Sequence, residues 1–272
     1  MPPDRWLGDA RLALSPGAGD GEIMRVIAGS AALRRAPDAG AEQINQMLFG
    51  EPVRLYARQG EWGYVQLGLD RYVGWTRLAG LASAATMPTH RVRVLRTFLY
   101  ERADMKSRPV RALSMNARIA VTDMSGPYAA ADGGGWVFAS HLCPLGDTET
   151  DFVAIAGRFL GAPYLWGGRQ SAGIDCSGLV QIALQATGVF PLRDSDMQED
   201  TLGHPHAFGR DLDDLERGDL VFWKGHVGIM CSPDLLLHAS ARDMHVETEP
   251  LMRAVERMRP VAGEVRSVRR FG

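Results

Sequence analysis

Cysteine is scarce in this sequence. Its 272 residues hold three, Cys143, Cys176 and Cys231. An odd number with no C-x-x-C pair suits reduced thiols in the cytosol and argues against a disulfide framework. Net charge is also nearly absent: at −2, no basic field exists to hold a phosphate backbone or an anionic lipid surface, so neither nucleic acid nor a membrane is expected as a partner. No apolar run reaches the ~18 residues that suggest a membrane-spanning helix. The opening MPPDRWLGDARLALSPG carries Asp4 and Asp9 and lacks an apolar segment followed by a small-residue cleavage site. It does not read as a signal peptide, which predicts a cytoplasmic protein. What the chain does have is ordinary globular composition, 46% hydrophobic and 23% charged, with length for two or three domains.

Short, turn-punctuated runs fill the first half. RVIAGSAALRR, FGEPVRLYARQGEWGYVQLG and DRYVGWTRL alternate apolar residues, such as Val53 and Leu55 or Trp62 and Tyr64, with Gly and charge, the pattern of short strands in a small barrel. A second copy, RVRVLRTFLYERAD and NARIAVTDMSGPYAAADGGGWVFASHL, repeats the layout at a spacing of about 60 to 66 residues. The join, ASAATMPTH, reads as a short linker. DGGGW has no strand–GxxxxGK–helix context and is predicted to be a hairpin turn, not a phosphate-binding loop.

After PLGDTETD the texture changes. DFVAIAGRFLG predicts a helix with Val153, Ala156 and Leu160 on its apolar side and Gly161 as its stop, and GIDCSGLVQIALQATG predicts a second, ended by Gly188. Strands follow at DLVFW, HVGIMC, LLLHAS and MHVET. The class is α+β, a helix packed on an antiparallel sheet.

Cys176 stands where the second helix begins. A thiol attacks as thiolate, and a helix N-terminus with Asp175 and Ser177 as candidate caps offers N–H groups and a positive dipole end that lower its pKa. A base is also required. SPD between HVGIMC and LLLHAS is a turn, so these strands form a hairpin with paired positions summing to about 464 or 465. That register sets His226 near His238 across adjacent strands, one imidazole to take the thiol proton and the other to orient it. Cys143, before Pro144, and Cys231, in an apolar strand, read as inert. His204 and His206 in HPH lack further ligands at metal spacing, so no metal or other cofactor is expected. The basic RSVRR reads as a solvated tail.

DCSGLVQ, GDLVFWKGHVGIM and LLHAS, in that order, resemble the NlpC-type papain-like cysteine peptidases that act on bacterial cell-wall peptides. The resemblance spans about residues 150 to 250 and implies Cys176 as nucleophile, His226 as base, His238 as orienting residue and Tyr164 of PYLWGG as an active-site tyrosine supporting the oxyanion. With the repeated segments, which look like bacterial SH3-like barrels, the chain is similar to the γ-D-glutamyl-L-diamino acid endopeptidases. It then divides into residues 1–20 as an extension, 21–83 and 88–146 as SH3-like barrels, and 147–272 as the peptidase. The implied substrate is a short murein peptide with a free N-terminal L-alanine, cut to release L-Ala-γ-D-Glu. Glu51, Tyr72 and Asp194 are implied receptors of its ammonium group, and Asp175 and Ser177 further substrate-pocket positions. Two other readings stand beside this one: a wall-bound endopeptidase in the periplasm or cell wall, targeted by its barrels, and an inactive wall-binding scaffold.

Overall fold

The computed structural model describes residues 4–14, 19–83, 86–209 and 211–271, so the N-terminal stretch and the predicted linker fall only partly within it. The chain forms two compact units, Leu7–Thr148 and Glu149–Gly272, the latter together with Met1–Trp6. A single turn, α1 (Asp4–Leu7), opens the chain. Among the described residues no helix is long and apolar enough to cross a membrane.

The first unit is built from strands. β1 (Glu22–Val26), β2 (Ser30–Arg34), β3 (Gln43–Leu48), β4 (Pro52–Gln59), β5 (Trp62–Leu67), β6 (Val73–Arg77) and β7 (Leu81–Ser83) form one sheet in the order β3-β2-β6-β5-β4-β1-β7. Its strands alternate as expected: Val53, Leu55, Val65 and Leu67 are buried, whereas Arg54 is exposed. Then come β8 (His90–Val92), β9 (Arg96–Tyr100), β10 (Pro109–Ser114), β11 (Arg118–Ile119), β12 (Val121–Ser125), β13 (Tyr128–Ala131), β14 (Trp136–Phe138) and β15 (Leu142–Pro144). Their sheets run β10-β9-β14-β13-β12 and β11-β8-β15.

The second order repeats the first, with β11 and β12 together standing where β4 stands. β3-β2-β6-β5-β4 matches β10-β9-β14-β13-β12, and the β1–β7 pair matches β8–β15. A 3-10 turn precedes the last strand in each, Leu78–Gly80 and Ala139–His141. DGGGW is the β13–β14 connection, with Gly133, Gly134 and Gly135 all at positive φ, the left-handed region that glycine enters without steric cost. The two halves of this unit meet at Gly50, where an added Cβ would lie 1.9 Å from the Arg118 carbonyl oxygen.

The second unit is α+β. α2 (Phe152–Gly157) is capped by Asp151, whose carboxylate accepts from the Ala154 N–H. It stops earlier than the sequence pattern predicts: Phe159 is buried and Leu160 is exposed, because the chain tightens into turns before Gly161, which has positive φ. A short ribbon, β16 (Arg169–Gln170) and β17 (Gly173–Ile174), leads into α3 (Cys176–Ala186), followed by α4 (Ser195–Thr201). The main sheet joins β18 (His204–His206), β19 (Leu220–Trp223), β20 (His226–Ser232), β21 (Leu235–Ser240), β22 (His245–Pro250) and β23 (Ser267–Arg270) in the antiparallel order β18-β23-β19-β20-β21-β22. α3 lies against β20 and β21.

One element was not anticipated from the sequence, and one expectation changes. Residues 251–262 form a helix, α5 (Leu251–Ala262), whose Leu251, Ala254, Val255 and Met258 are buried at helical spacing. RSVRR is not a solvated tail. Its residues supply β23, an interior strand: Val268 is buried and pairs with Val221, while Arg270 binds the buried Asp219 carboxylate at 2.6 Å. One apolar residue between arginines suffices because neighbouring strands take the backbone groups and Asp219 takes the charge.

Candidate active site

The thiol is positioned by a helix that water does not reach. All eleven residues of α3 are buried, so the helix has no solvated face along which to shift. Asp175 is the N-cap and accepts from the Gly178 N–H at 2.7 Å. Gly178 lets this first turn press on the preceding loop, since a Cβ there would sit 2.3 Å from the Gly168 carbonyl oxygen.

Asp175 does more than cap. Arg193, 1% exposed, binds it with both nitrogens, Nη1 to Oδ1 at 2.9 Å and Nη2 to Oδ2 at 2.6 Å. Gly167 N–H donates to Oδ2 at 2.8 Å. Ser177 does not cap the helix; its hydroxyl accepts from Arg193 Nη1 at 2.8 Å. Arg193 was not singled out in the sequence, and its only local signal is a charged residue in PLRDS directly after an apolar helix.

The thiol itself does not rest as a low-pKa group. Burial pushes Cys176 up to about 12, helped by the neighbouring Asp175 charge; the Val227 amide, the Arg193 charge and the Ser177 amide pull the other way and do not compensate. The helix terminus favours the thiolate as expected, but desolvation outweighs it. The contact with Val227 places the sulfur at the start of β20, one residue from His226.

β20 and β21 pair Ile229 with Leu237 and Met230 with Leu236, and the register shifts between Met230 and Ser232. The register therefore differs from the predicted one, because Ser232 pairs with Leu235 across a tighter turn, and the bulge at Cys231 recovers one position of the offset. Carried on, the ladder sets Gly228 opposite His238, so His226 and His238 are diagonal and not directly opposed neighbours. They still meet: His226 Nε2 and His238 Nδ1 are 2.9 Å apart, with ring planes at 83°. Desolvation drives both toward the neutral form, although His226 keeps part of its surface open to solvent. His226 falls to about 3, aided by charge on His238 and Arg257. His238 falls to about 4, with the Glu249 carboxylate opposing the shift and Arg257 adding to it.

Beyond His238 lie two acids of β22. Glu249 Oε1 is 3.0 Å and Glu247 Oε1 4.0 Å from His238 Nε2, and Glu249 is held by Arg257 of α5. The Glu249 oxygen is within hydrogen-bond distance of Nε2 but off its hydrogen-bond direction. Extending the hairpin reasoning by one strand to VETE would have found both acids, since Glu247 pairs with His238 in the ladder. His238, Glu247 and Glu249 form the one group with metal-ligating proximity among the described residues; Arg257 already supplies a positive charge to it. His204 and His206 lie in β18, with His206 Nε2 3.0 Å from Asp214.

Tyr164 lies close to this centre. Its phenol is pushed up by burial, then by charge on Cys176 and Asp175, which keeps the hydroxyl a neutral donor. Asp194 is the partly buried N-cap residue of α4. Glu51 and Tyr72 belong to the first unit, where both are buried; Glu51 Oε2 accepts from the Leu48 N–H at 3.0 Å. Cys143 is buried, while Cys231, at the bulge, is partly exposed.

Two family models match the chain: the NlpC/P60 family over residues 161–261 and the bacterial dipeptidyl-peptidase SH3 domain over residues 33–81. The gamma-D-glutamyl-L-lysine dipeptidyl-peptidase of Bacillus subtilis is 30% identical over 223 residues, 74% of each chain. This chain belongs to the NlpC/P60 family. It carries that family's domain, of cysteine peptidases that hydrolyse peptidoglycan, together with a dipeptidyl-peptidase SH3 domain. Dipeptidyl-peptidase 6 of Lysinibacillus sphaericus is 27% identical over 250 residues, 83% of this chain and 90% of the relative. Among solved structures, an NlpC/P60 family protein from Bacillus cereus superposes with a TM-score of 0.77, covering 92% of this chain and 99% of its own at 19% identity. That likeness gives the fold, which is papain-like in this family.

Proposed function

We propose that this NlpC/P60 protein hydrolyses the bond between γ-D-glutamate and the diamino acid of short murein peptides that carry a free N-terminal L-alanine, releasing L-Ala-γ-D-Glu. The observation that carries the reading is the likeness, across three quarters of each chain, to a relative named for γ-D-glutamyl-L-lysine dipeptidyl-peptidase activity, in a chain whose thiol lies beside a histidine pair.

In this mechanism Cys176 is the nucleophile. Thiol and imidazole both rest neutral, so the proton moves from sulfur to His226 as the sulfur attacks the γ-carbonyl carbon. The carbonyl oxygen becomes an oxyanion that the Cys176 N–H at the head of α3 and the Tyr164 hydroxyl receive. Protonated His226 then gives its proton to the departing amine of the diamino acid as the C–N bond breaks. Water, deprotonated by His226, adds to the thioester, and collapse releases the dipeptide and restores the thiol. Asp175 and Ser177 act through Arg193 to fix the nucleophile's helix and the wall of the pocket.

Asp194 receives the ammonium of L-alanine in this reading, because a cation leaving water needs a carboxylate or several acceptors to offset its desolvation. Glu51 and Tyr72 are candidates for the same task. The segment 88–146 is read as a second SH3-like barrel, supported by its strand order, and as a scaffold without a pocket of its own.

The test compares L-Ala-γ-D-Glu-meso-diaminopimelate with its N-acetylated form, with mass detection of the released dipeptide. Cleavage of the free peptide alone, lost in Cys176→Ala, is the expected result. Equal cleavage of both peptides would replace the gate with an open site and favour barrels that target the wall. Asp194→Asn, Glu51→Gln and Tyr72→Phe, each checked for folding, then report which residues sense the free amine: a true receptor raises KM for the free peptide and not for a blocked one.

A further inference from the structure

We propose that Glu249, held by Arg257, is a positioning residue that selects the one proton arrangement of the histidine pair in which His226 can accept the thiol proton. The inference rests on the reading of Cys176 as nucleophile and His226 as base.

The argument begins with the 2.9 Å contact between His226 Nε2 and His238 Nδ1. One of these nitrogens must donate and the other accept, which allows two arrangements of the neutral rings. In the first, His226 carries its hydrogen on Nε2 and donates it to His238, leaving His226 Nδ1 bare for the thiol proton. His238 must then carry its own hydrogen on Nε2. In the second, His238 donates from Nδ1, His226 holds its hydrogen on Nδ1, and no nitrogen of His226 is left to receive a proton. The two arrangements differ at His238 Nε2, which bears a hydrogen in the first and a lone pair in the second.

His238 is 1% exposed, so solvent does not decide between them. Glu249 does. Its Oε1 is 3.0 Å from Nε2, and an ionised carboxylate only accepts. Facing a lone pair it is repelled; facing an N–H it becomes a charge-assisted partner after a small rotation of the carboxylate into line. Arg257 is ion-paired with Glu249 on its other side. The order therefore runs diagonally across three neighbouring strands, His226 on β20, His238 on β21 and Glu249 on β22, and ends on α5. The remaining charged groups around His238 are Glu247, 4.0 Å from Nε2 on β22, and Asp243 before that strand. Glu247, which is farther and lacks the arginine partner, adds negative field without fixing the hydrogen.

Three variants and two readouts test this on the full chain. Glu249→Ala is expected to lower kcat by about 10- to 100-fold with KM for the free peptide unchanged, a smaller loss than removing a directly orienting acid because it acts one ring further out. Losing the carboxylate also lowers the affinity of the pair for a proton, so the acid limb of the kcat/KM profile moves to lower pH. Glu249→Gln keeps an acceptor oxygen and loses the charge; it recovers part of the rate and none of the shift in the limb. Nitrogen-15 spectra of the histidine rings supply a readout independent of turnover. In wild type both His226 and His238 carry their hydrogen on Nε2, and in Glu249→Ala the two arrangements coexist. Unchanged kcat, acid limb and ring spectra in a folded Glu249→Ala protein overturn the inference, and if alanine prevents folding the same three outcomes in Glu249→Gln do so. Cys176→Ala separates this from the functional reading: retained turnover there sinks the nucleophile assignment, whereas lost turnover with silent Glu249 variants sinks only the role of Glu249.

Discussion

Two buried polar networks flank the thiol, and they are finished to different degrees. On the helix side, Asp175 accepts from Gly178, Gly167 and both terminal nitrogens of Arg193; both carboxylate oxygens are fully used, and the guanidinium meets it as a two-pronged pair. On the strand side, His238 has one nitrogen well bonded and the other beside a carboxylate out of line. A completed network has no spare capacity to exchange a proton and holds geometry. An uncompleted one costs stability and leaves room for a proton to be gained, passed and lost.

That contrast can be broken from either side, and the largest effect is expected on the strand side. His226→Ala should lower kcat/KM by about 10⁴-fold or more, about 5 kcal/mol of transition-state stabilisation, with a smaller loss of about 1–3 kcal/mol in urea denaturation, because the buried His238 Nδ1 is left without its partner. On the helix side, Arg193→Ala leaves a buried carboxylate unpaired and should cost about 3–5 kcal/mol of stability by the same measurement. An Arg193→Ala protein of wild-type stability would end the division between a holding and a reacting network. Gly178→Ala comes next, at about 1–3 kcal/mol with an accompanying loss of kcat, since its methyl must push the Gly168 carbonyl away from the head of α3.

The effects of pH on stability sharpen the contrast by sign. His226 and His238 bind protons less readily folded, at about 3 and 4, than at their unperturbed 6.5. Their contribution is fully present above pH 6.5 and is lost progressively as pH falls from there toward 3. Cys176 is raised from 9 to about 12, so its contribution is present below pH 9 and is lost between 9 and 12. Thermal melts of wild type against Cys176→Ala should diverge in the alkaline window alone, and the difference against His226→Ala should vary with pH in the acid window.

The features legible in the sequence were those fixed by near neighbours. The capping Asp175, the apolar run of α3, its stop at Gly188 and the two histidine-bearing strands each depend on a few adjacent residues. What failed depended on distance. The turn is tighter than SPD implied, since Ser232 pairs with Leu235, and the bulge at Cys231 takes back only one position of that offset; the rings are not separated, because a diagonal pair still touches. β23 was hidden since its arginines look solvated until Asp219, far away in sequence, is seen beneath Arg270. The resting thiol was misjudged for a similar reason: the helix terminus is local and visible, whereas the burial that overrides it comes from the whole unit. Arg193 gave only a weak local signal and Glu249 needed the hairpin reasoning carried one strand further, and each acquires meaning through a partner on another element.

The place of β23 also orders events in time. It lies between β18 and β19, and β19 supports the strand that carries His226. A ribosome makes α3 and its thiol about 90 residues before it makes β23. The repeated β unit is complete well before then and has every strand that it needs. During synthesis the Cys176 thiol is therefore made beside an unfinished sheet, and β19 gains its second neighbour only once β23 has been made.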